Sequence, residues 1–160
     1  MANSYPGLLY ISNGDQLERY EPLIGKNFYK IASEGERIVV CCRDASYFIE
    51  SDDQIQQFGD SPLVNISAGT GFIVGIGLNS RLYSWGVEGD SGQLGQSASI
   101  KKLFEPLEIN FVADFIDVSS GEAFNMAIDK TGLMYGWGEV GCYAIRAFRT
   151  PFKPLFPIEF

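Results

Sequence analysis

Histidine is absent from the 160-residue sequence, and with it the side chain that proteins use most often as a general base and as a metal ligand. The three cysteines, Cys41, Cys42 and Cys142, are odd in number and two are adjacent, so a disulfide framework and a zinc site are both disfavoured. We expect them to be buried thiols in a reducing compartment. No nucleophile constellation or phosphate-binding loop accompanies the carboxylates. The protein is therefore predicted not to be an enzyme, with no catalytic residue, metal, cofactor or small-molecule substrate.

Long apolar runs and basic clusters are also missing. No stretch approaches the length of a membrane span, and the first residues lack the basic and apolar pattern of a signal peptide. The formal net charge is −8 and the sequence pI is about 4.5, so the surface repels phosphate backbones. We expect a soluble intracellular protein, cytoplasmic or cytoskeletal in preference to nuclear, that binds neither membranes nor nucleic acid directly.

Glycine, aromatic residues and an internal repeat are what the sequence does contain. Eighteen glycines and twelve phenylalanines indicate tight turns and aromatic packing in a chain that is 46% apolar, which is typical of a globular protein. Segments 64–86 and 116–138 align without a gap, 52 positions apart. The identical positions include Gly69 and Gly121, Tyr83 and Tyr135, Trp85 and Trp137, and Gly86 and Gly138. Chance is a poor explanation for four matches in one register, so the chain is predicted to be a tandem repeat.

Each copy has the pattern of two β-strands joined by a short turn. Large apolar residues recur at every second position, which is the period of a strand. The positions are Phe72, Val74, Ile76 and Leu78 in one copy, and Phe124, Met126 and Ile128 in the other, opposite Asn125, Ala127 and Asp129. Asn79-Ser80 and the stretch 129–132 supply the turns. We interpret the matched glycines as turn or close-approach positions and the tryptophans as packing between sheets.

These residues resemble the repeat of the regulator of chromosome condensation family, which carries a small-Gly element, an apolar strand, Leu-Tyr-x-Trp-Gly and a loop ending Gly-Gln-Leu-Gly. One unit here gives Leu82-Tyr83-Ser84-Trp85-Gly86 and then Gly92-Gln93-Leu94-Gly95. The next gives Met134-Tyr135-Gly136-Trp137-Gly138, followed by Gly141-Cys142-Tyr143-Ala144 in place of Gly-Gln-Leu-Gly. The resemblance implies an all-β fold and a propeller of four-stranded blades. The chain would be an incomplete β-propeller of about three antiparallel blades plus an N-terminal orphan strand.

The same pattern divides the chain, as a single repeat domain, into five parts. They are an orphan strand at about 7–14, a degenerate repeat at 28–59, repeats at 62–95 and 113–145, and the start of an unfinished repeat at 150–160. In the degenerate repeat Glu50 is expected to take the place of the tryptophan and Ser51 that of the glycine. The last part is inferred because Phe152-Lys153-Pro154-Leu155 echoes Phe104-Glu105-Pro106-Leu107.

Repeat folds present the loops of successive units as one surface and carry no chemistry of their own. We therefore predict a non-catalytic protein–protein interaction or scaffold module, completed by or docked in a larger assembly. Its partners would be proteins, including ones with a basic surface, or further propeller blades. The candidate partner-facing residues are the loop carboxylates Asp52, Asp53, Glu88 and Asp90, for which an ordinary solvated loop is the alternative. The alternative function that the resemblance implies is guanine-nucleotide exchange on, or regulation of, a Ran-like small GTPase.

Overall fold

The computed structural model describes residues 10–13, 16–19, 23, 25–35, 37–49, 54–58, 62–87, 89–97, 99–139 and 156–157. Its regular elements are all β-strands, which confirms the all-β class. The strands are β1 (Tyr10–Asn13), β2 (Gln16–Arg19), β3 (Phe28–Glu34), β4 (Arg37–Cys42), β5 (Ser46–Ile49), β6 (Ile55–Phe58), β7 (Leu63–Gly69), β8 (Phe72–Gly77), β9 (Leu82–Gly86), β10 (Leu103–Glu108), β11 (Phe115–Ser120), β12 (Phe124–Asp129), β13 (Met134–Gly138) and β14 (Phe156–Pro157). In this part of the chain no helix is long and apolar enough to cross a bilayer.

Twelve of these strands form three four-stranded antiparallel sheets. Sheet 1 contains β3 to β6, sheet 2 contains β7 to β10, and sheet 3 contains β11 to β14, with each strand paired to the next in the chain. The first strands of the sheets lie side by side, with β7 between β3 and β11. Meandering sheets that meet along their first strands are the blades of a propeller. The structure is therefore an incomplete propeller of three blades.

The three sheets repeat one another closely. Each first strand has a β-bulge at the same place, at Tyr29, Val64 and Ile116. Trp85 pairs with Ile73 in sheet 2, and Trp137 pairs with Asn125 in sheet 3. These shared registers make positions 52 apart structurally equivalent in sheets 2 and 3.

The cores lie between the sheets. Between sheets 1 and 2 the buried residues are Val39, Cys41, Phe48, Leu63, Ile66, Ile73 and Trp85. Between sheets 2 and 3 they are Phe72, Val74, Ile76, Leu82, Leu94, Ile109, Phe115, Val118, Ala127, Tyr135 and Trp137. Strand β8 is consequently buried on both faces, because Ile73 points to sheet 1 while Val74 points to sheet 3. Packing of both tryptophans between sheets agrees with the sequence interpretation.

The N-terminal strand has a partner that the sequence did not indicate. Strand β1 pairs with β2 in register, from Tyr10 opposite Arg19 to Asn13 opposite Gln16. Strand β2 reads Gln-Leu-Glu-Arg, and a single leucine among polar residues gives no strand period. The segment predicted as an orphan strand is therefore one arm of a hairpin.

The C-terminal segment also differs from its expectation. Phe156 and Pro157 pair with Gly136 and Tyr135 and form the fourth strand of sheet 3, while the rest of 150–160 lies outside the described residues. The echoed segment Phe104–Leu107 itself lies in β10, the fourth strand of sheet 2. The segment that echoes it, 152–155, lies outside the described residues.

In sheet 1, Ile49 takes the place of the tryptophan. Ile49 pairs with Ile38 as Trp85 pairs with Ile73, whereas Glu50 and Ser51, to which the tryptophan and glycine places had been assigned, lie outside the described residues. Ile49 lies one position earlier than the assigned Glu50 because of the turn between β4 and β5, where the Cys42 amide donates a hydrogen bond to the Ala45 carbonyl. In sheet 2 the Gly77 amide bonds the Arg81 carbonyl, one residue further on. The turn of sheet 1 is one residue shorter, and spacing alone did not reveal this.

Candidate functional site

The Gly-Gln-Leu-Gly loop of sheet 2 is hydrogen-bonded to sheet 3 and packs against it. The backbone carbonyl of Gln93 accepts hydrogen bonds from the indole Nε1 of Trp137 at 3.1 Å and from the side-chain amide of Asn125 at 2.8 Å. Leu94 is buried in the core between the two sheets. A Cβ on Gly95 would lie 3.0 Å from the Trp137 Nε1, so glycine lets the loop approach the ring. We call residues 92–95 the clasp loop, since it joins one blade to the next.

The other repeated glycines allow close backbone approach. A Cβ on Gly69 would lie 2.2 Å from the Phe72 ring and 2.4 Å from the carbonyl of Gly121 across the seam between sheets 2 and 3. Gly86 and Gly138 have φ of +146° and +103°, in a region that side chains rarely adopt. These positions therefore build the blades and offer no binding group.

The repeated tyrosines are tied to turn residues. The hydroxyl of Tyr135 donates to Asp129 at 2.9 Å, and the amide of Asn79 donates to the Tyr83 hydroxyl at 2.9 Å. The side chain of Thr131 is the main reason why the pKa of Asp129 is lowered, and the Tyr135 hydroxyl and the amides of Leu133 and Thr131 add to it. Burial and then the contact with Asp129 raise the pKa of Tyr135. Such satisfied polar groups stabilise the turn.

The seam between sheets 1 and 2 lacks this clasp among the described residues. The Trp85 side chain is 3% exposed, yet its Nε1 has no hydrogen-bond partner there. Its ring instead contacts Phe48 and Phe58, with centroids 5.1 and 6.2 Å away. Only residues 50–54 connect β5 to β6, against 87–102 between β9 and β10, and they contain no Gly-Gln-Leu-Gly. The two seams therefore differ in their polar contacts.

Two of the cysteines lie in sheet 1, Cys41 in the core shared with sheet 2 and Cys42 in the cluster on the opposite face. Cys41 and Cys42 are buried free thiols, as the sequence indicated, whereas Cys142 lies outside the described residues. Burial raises the pKa of Cys42 to about 11, and it also raises that of Cys41. Thiols that stay protonated are poor nucleophiles and poor metal ligands.

The structure does not bring the candidate acidic residues together. Asp52, Asp53 and Glu88 lie outside the described residues. Asp90 is exposed and lies 3.4 Å from the ammonium of Lys101, an arrangement that contributes little at the surface. Across the described ranges, no three His, Cys, Asp or Glu residues are placed to hold a metal.

Sheet 3 has an apolar face that its counterpart in sheet 2 does not expose. In β12 the buried side chains are Asn125, Ala127 and Asp129, while the larger side chains between them are only half-buried. We call the half-buried residues Phe124, Met126, Ile128 and Met134 the open face. Their equivalents Phe72, Val74, Ile76 and Leu82 are at most 1% exposed, because sheet 3 covers them. Alternating residues showed a strand but could not show which side is covered, and Leu78, expected to continue the alternation, lies exposed in the turn after β8.

Comparison with known proteins identifies the repeat. The family model described as "Regulator of chromosome condensation (RCC1) repeat" matches residues 79–128, from the β8–β9 turn to β12. A Dictyostelium discoideum protein, "Bifunctional serine/threonine-protein kinase/NEDD4-like E3 ubiquitin-protein ligase", is 35% identical over 103 residues, which are 60% of this chain and 5% of that protein. The mouse "E3 ubiquitin-protein ligase HERC2" is 32% identical over 83 residues, 48% of this chain and 2% of that protein. The chain thus spans a small part of these relatives.

Solved structures agree on the fold. Human WBSCR16 superposes with a TM-score of 0.73 at 11% identity, covering 90% of this chain and 41% of that one. Prp20p from Saccharomyces cerevisiae, studied for its binding to Gsp1p and histones, gives 0.70 at 16% identity, covering 83% and 38%. At sequence identities this low, the superpositions show that the fold is shared and nothing about function. Residues 79–128, which include the clasp loop, thus match one repeat of the regulator of chromosome condensation family, and the three sheets share the fold of these solved structures.

Proposed function

We propose that the chain is a non-catalytic protein–protein interaction module, completed by or docked in a larger assembly, in which a protein partner or further propeller blades cover the open face of sheet 3. One observation carries this proposal. Equivalent faces of sheets 2 and 3 have the same apolar character, yet one is sealed by the next blade and the other is left half-exposed.

Physical chemistry favours covering such a face. Full burial of an aliphatic or aromatic side chain stabilises by about 1.5–3 kcal/mol, and the open face has four of them only half-buried. Contiguous exposed apolar surface in a soluble protein commonly marks an interaction site. Methionine adds adaptability, because its unbranched side chain fills irregular gaps in a partner surface.

Methionine oxidation tests the proposal, because the sequence has only three methionines and two of them, Met126 and Met134, lie on the open face. Mild peroxide would be applied to the free chain and to the assembly recovered from cells, with peptide mass spectrometry as the readout. Both residues should oxidise in the free chain and be protected in the assembly. Trp85 and Trp137, which are buried between sheets, serve as internal controls that should stay unmodified in both samples. Equal oxidation of Met126 and Met134 in the two samples would refute the proposal.

Guanine-nucleotide exchange on a Ran-like small GTPase is the second candidate. It is favoured by the shared fold with Prp20p, which was studied for its binding to Gsp1p and histones. Adding the chain at micromolar concentration to a GTPase loaded with fluorescent GDP separates the candidates. The interaction proposal expects no change in the rate of nucleotide release, and clear acceleration would support exchange.

Partner charge and location are also proposals. The net charge of −8 favours a partner with a basic surface over a nucleic acid, since like charges repel. Binding to a labelled DNA or RNA at low salt would contradict this preference. A fluorescent fusion found mainly in the nucleus would contradict a cytoplasmic or cytoskeletal location.

A further inference from the structure

We propose that Ser99 is a phosphorylation site, at which a serine kinase that selects lysine after its target turns a cationic spot of the loop between β9 and β10 into an anionic one. The inference goes beyond the proposed function and does not depend on the open face of sheet 3. It concerns Ser97 and residues 99–102, which we call the outer limb of the connection.

The connection holds the outer limb on an anchored base. Leu94 is 1% exposed in the core between sheets 2 and 3, and the Gln96 side chain donates a hydrogen bond to the carbonyl of Glu108 at 3.2 Å. A Cβ on Gly89 would lie 2.6 Å from the carbonyl of Lys101, so the two ends of the connection touch. Compact surface loops whose ends lie close together are frequently functional. The outer limb is therefore presented at the surface by a loop that is itself fixed.

The outer limb exposes a serine hydroxyl where the backbone is weakly held. Ser97 and Ser99 are both exposed, and their hydroxyl oxygens are 2.9 Å apart. Among the described residues, one backbone hydrogen bond holds the limb within itself, from the Ile100 amide to the Ser97 carbonyl at 2.9 Å. Opening this turn to enter a kinase groove therefore costs little. Ser33, by contrast, is exposed but paired within sheet 1, and it would have to leave its strand.

Two lysines give the outer limb the charge by which a kinase can select it. Lys101 and Lys102 follow Ser99 at the second and third positions, and they are the only adjacent pair of cationic residues in the sequence. Both are exposed. Kinases discriminate among substrates partly by the pattern of charge around the target. In a chain of net charge −8, this limb is where an acidic substrate groove finds complementary charge.

Lys101 is available to a kinase and to a phosphate because its present partner holds it weakly. Its Nζ lies 3.4 Å from Oδ1 of Asp90 and 3.4 Å from the Asp90 carbonyl, and both side chains are exposed. An exposed ion pair of this kind contributes little. A phosphoserine carries a charge of about −1.5 to −2 and three strong acceptor oxygens. A phosphate on Ser99 would therefore draw Lys101 away from Asp90.

The modification is a phosphoryl transfer in which ATP is the second substrate. The Oγ of Ser99 forms a bond to the γ-phosphorus of ATP, the bond from that phosphorus to ADP breaks, and the hydroxyl proton passes to the kinase. Asp90, Lys101 and Lys102 together are net positive before the transfer, and with the phosphate they are net negative after it. Phosphorylation thus changes the charge of the partner that this loop attracts from acidic to basic.

Phosphorylation of the folded full chain in vitro tests the site. The chain is incubated with Mg-ATP and a purified serine kinase that selects lysine after its target, and a kinase that selects acidic residues there is the control enzyme. Peptide mass spectrometry should locate the phosphate at Ser99 with the first enzyme and leave Ser33 unmodified. Ser99→Ala should abolish incorporation, whereas Ser97→Ala should keep the rate within about threefold of the parent.

Lysine variants test how the kinase selects the site. Changing both residues, Lys101→Gln with Lys102→Gln, should lower the rate of phosphorylation about tenfold or more, because the acidic groove loses its partners. Lys130→Gln is the matched control, since it removes an exposed lysine from the turn after β12, at the opposite end of the strands. It should leave the rate unchanged.

Phosphorus NMR tests the charge switch in the phosphorylated chain. Lys101 should hold the second pKa of the Ser99 phosphate below that measured in phosphorylated Lys101→Gln, because a nearby cation favours the doubly charged phosphate. Lys130→Gln again serves as the control and should leave this pKa where it is in the parent. The same Ser99 phosphopeptide should be found in the chain isolated from cells of the source organism treated with a phosphatase inhibitor.

Each other outcome overturns a defined statement, and none of them touches the proposed interaction function. Phosphate at Ser97 in place of Ser99, no incorporation at all, or no phosphopeptide from the cells overturns the site. A rate that does not fall without the two lysines overturns selection by charge. A phosphate pKa that is the same in Lys101→Gln overturns the transfer of Lys101 from Asp90 to the phosphate.

Discussion

At the scale of single residues, the two tryptophans of the repeat occupy equivalent places but differ in one hydrogen bond. Trp137 donates to the carbonyl of Gln93, whereas the buried Nε1 of Trp85 has no partner among the described residues. A buried donor without an acceptor costs free energy, while a satisfied one contributes about 0.5–1.5 kcal/mol. Identity in the sequence therefore does not mean equal contribution to stability.

Phenylalanine substitutions should separate these contributions. Trp85→Phe and Trp137→Phe remove similar volume, so each is the control for the other. Trp137→Phe is expected to lower the free energy of unfolding by about 1 kcal/mol more than Trp85→Phe, because only Trp137 loses a hydrogen bond. Urea denaturation of both variants measures the difference. Equal losses would show that the bond to Gln93 adds nothing.

The carboxylate of Asp129 makes the free energy of unfolding depend on pH. Its pKa is lowered in the folded chain, mainly by the Thr131 side chain. The stabilisation is thus complete above the unfolded pKa of about 3.9 and is lost as the pH falls through the folded pKa. The unfolding free energy of Asp129→Asn should be lower than that of the parent at pH 7, and the gap should narrow below about pH 4. Chemical denaturation across this range measures it.

A surface carboxylate provides the control for this prediction. The pKa of Asp114 is also lowered, by its hydrogen bond to Lys130, but this pair is exposed. Salt at about 1 M should weaken the effect of Asp114→Asn and leave that of Asp129→Asn, because Asp129 is buried in its turn. If the difference in unfolding free energy between Asp129→Asn and the parent did not change with pH, the stabilisation could not come from the ionised Asp129.

At the scale of elements, the clasp loop gives the seam between sheets 2 and 3 hydrogen bonds that have no counterpart among the described residues of the seam between sheets 1 and 2. Gly86 and Leu103 pair directly, so the connection 87–102 leaves and re-enters the sheet at neighbouring positions. Its length is not needed to close the hairpin between β9 and β10. The loop instead provides Leu94 and the carbonyl of Gln93 to the seam with sheet 3.

Excising the loop should weaken the packing of sheet 3 on sheet 2 while sheet 2 stays folded. Replacing residues 88–101 by Gly-Ser-Gly eliminates the burial of Leu94 and two hydrogen bonds to Gln93, so the unfolding free energy should fall by roughly 3–5 kcal/mol. Urea denaturation measures this, and Trp137 emission in a Trp85→Phe background should shift to the red. A loop of unchanged length with residues 92–95 permuted is the control, and it should lose nearly as much. Unchanged stability after excision would rule out the clasp.

The sequence predicted where strands occur more readily than which side of each strand is covered. Strands β8, β9, β12 and β13 follow from period two and the matched Tyr-x-Trp-Gly, because these patterns report local geometry. Strand β2 was missed because its residues are mostly polar, and the outer strands β10 and β14 were missed because each contains a proline. The side of β12 that is covered depends on which blade follows, and no local pattern contains that information. The place of Ile49 depended on a turn one residue shorter.

At the scale of the whole molecule, the three described blades form an arc in which the open face of sheet 3 is only half-buried. Repeat proteins gain stability from neighbour contacts, and a terminal repeat needs a polar outer face or a partner. The open face has apolar residues, as has the equivalent face of sheet 2, which sheet 3 covers. The incompleteness that the sequence indicated can thus be assigned to particular side chains.

The most direct test of this account compares two methionines at equivalent positions in a single chain. Leu82 is the sheet 2 equivalent of Met134, and Leu82→Met conserves volume, so it should cost less than about 1.5 kcal/mol. With this variant free in solution, peroxide oxidation at position 82 and at Met134 is followed together by mass spectrometry. If sheet 3 seals sheet 2 and leaves its own far side open, Met134 should oxidise about tenfold faster than the methionine at position 82, since reactivity follows exposure. Equal rates would mean that the two faces are equally covered, and the account of an open blade would be wrong.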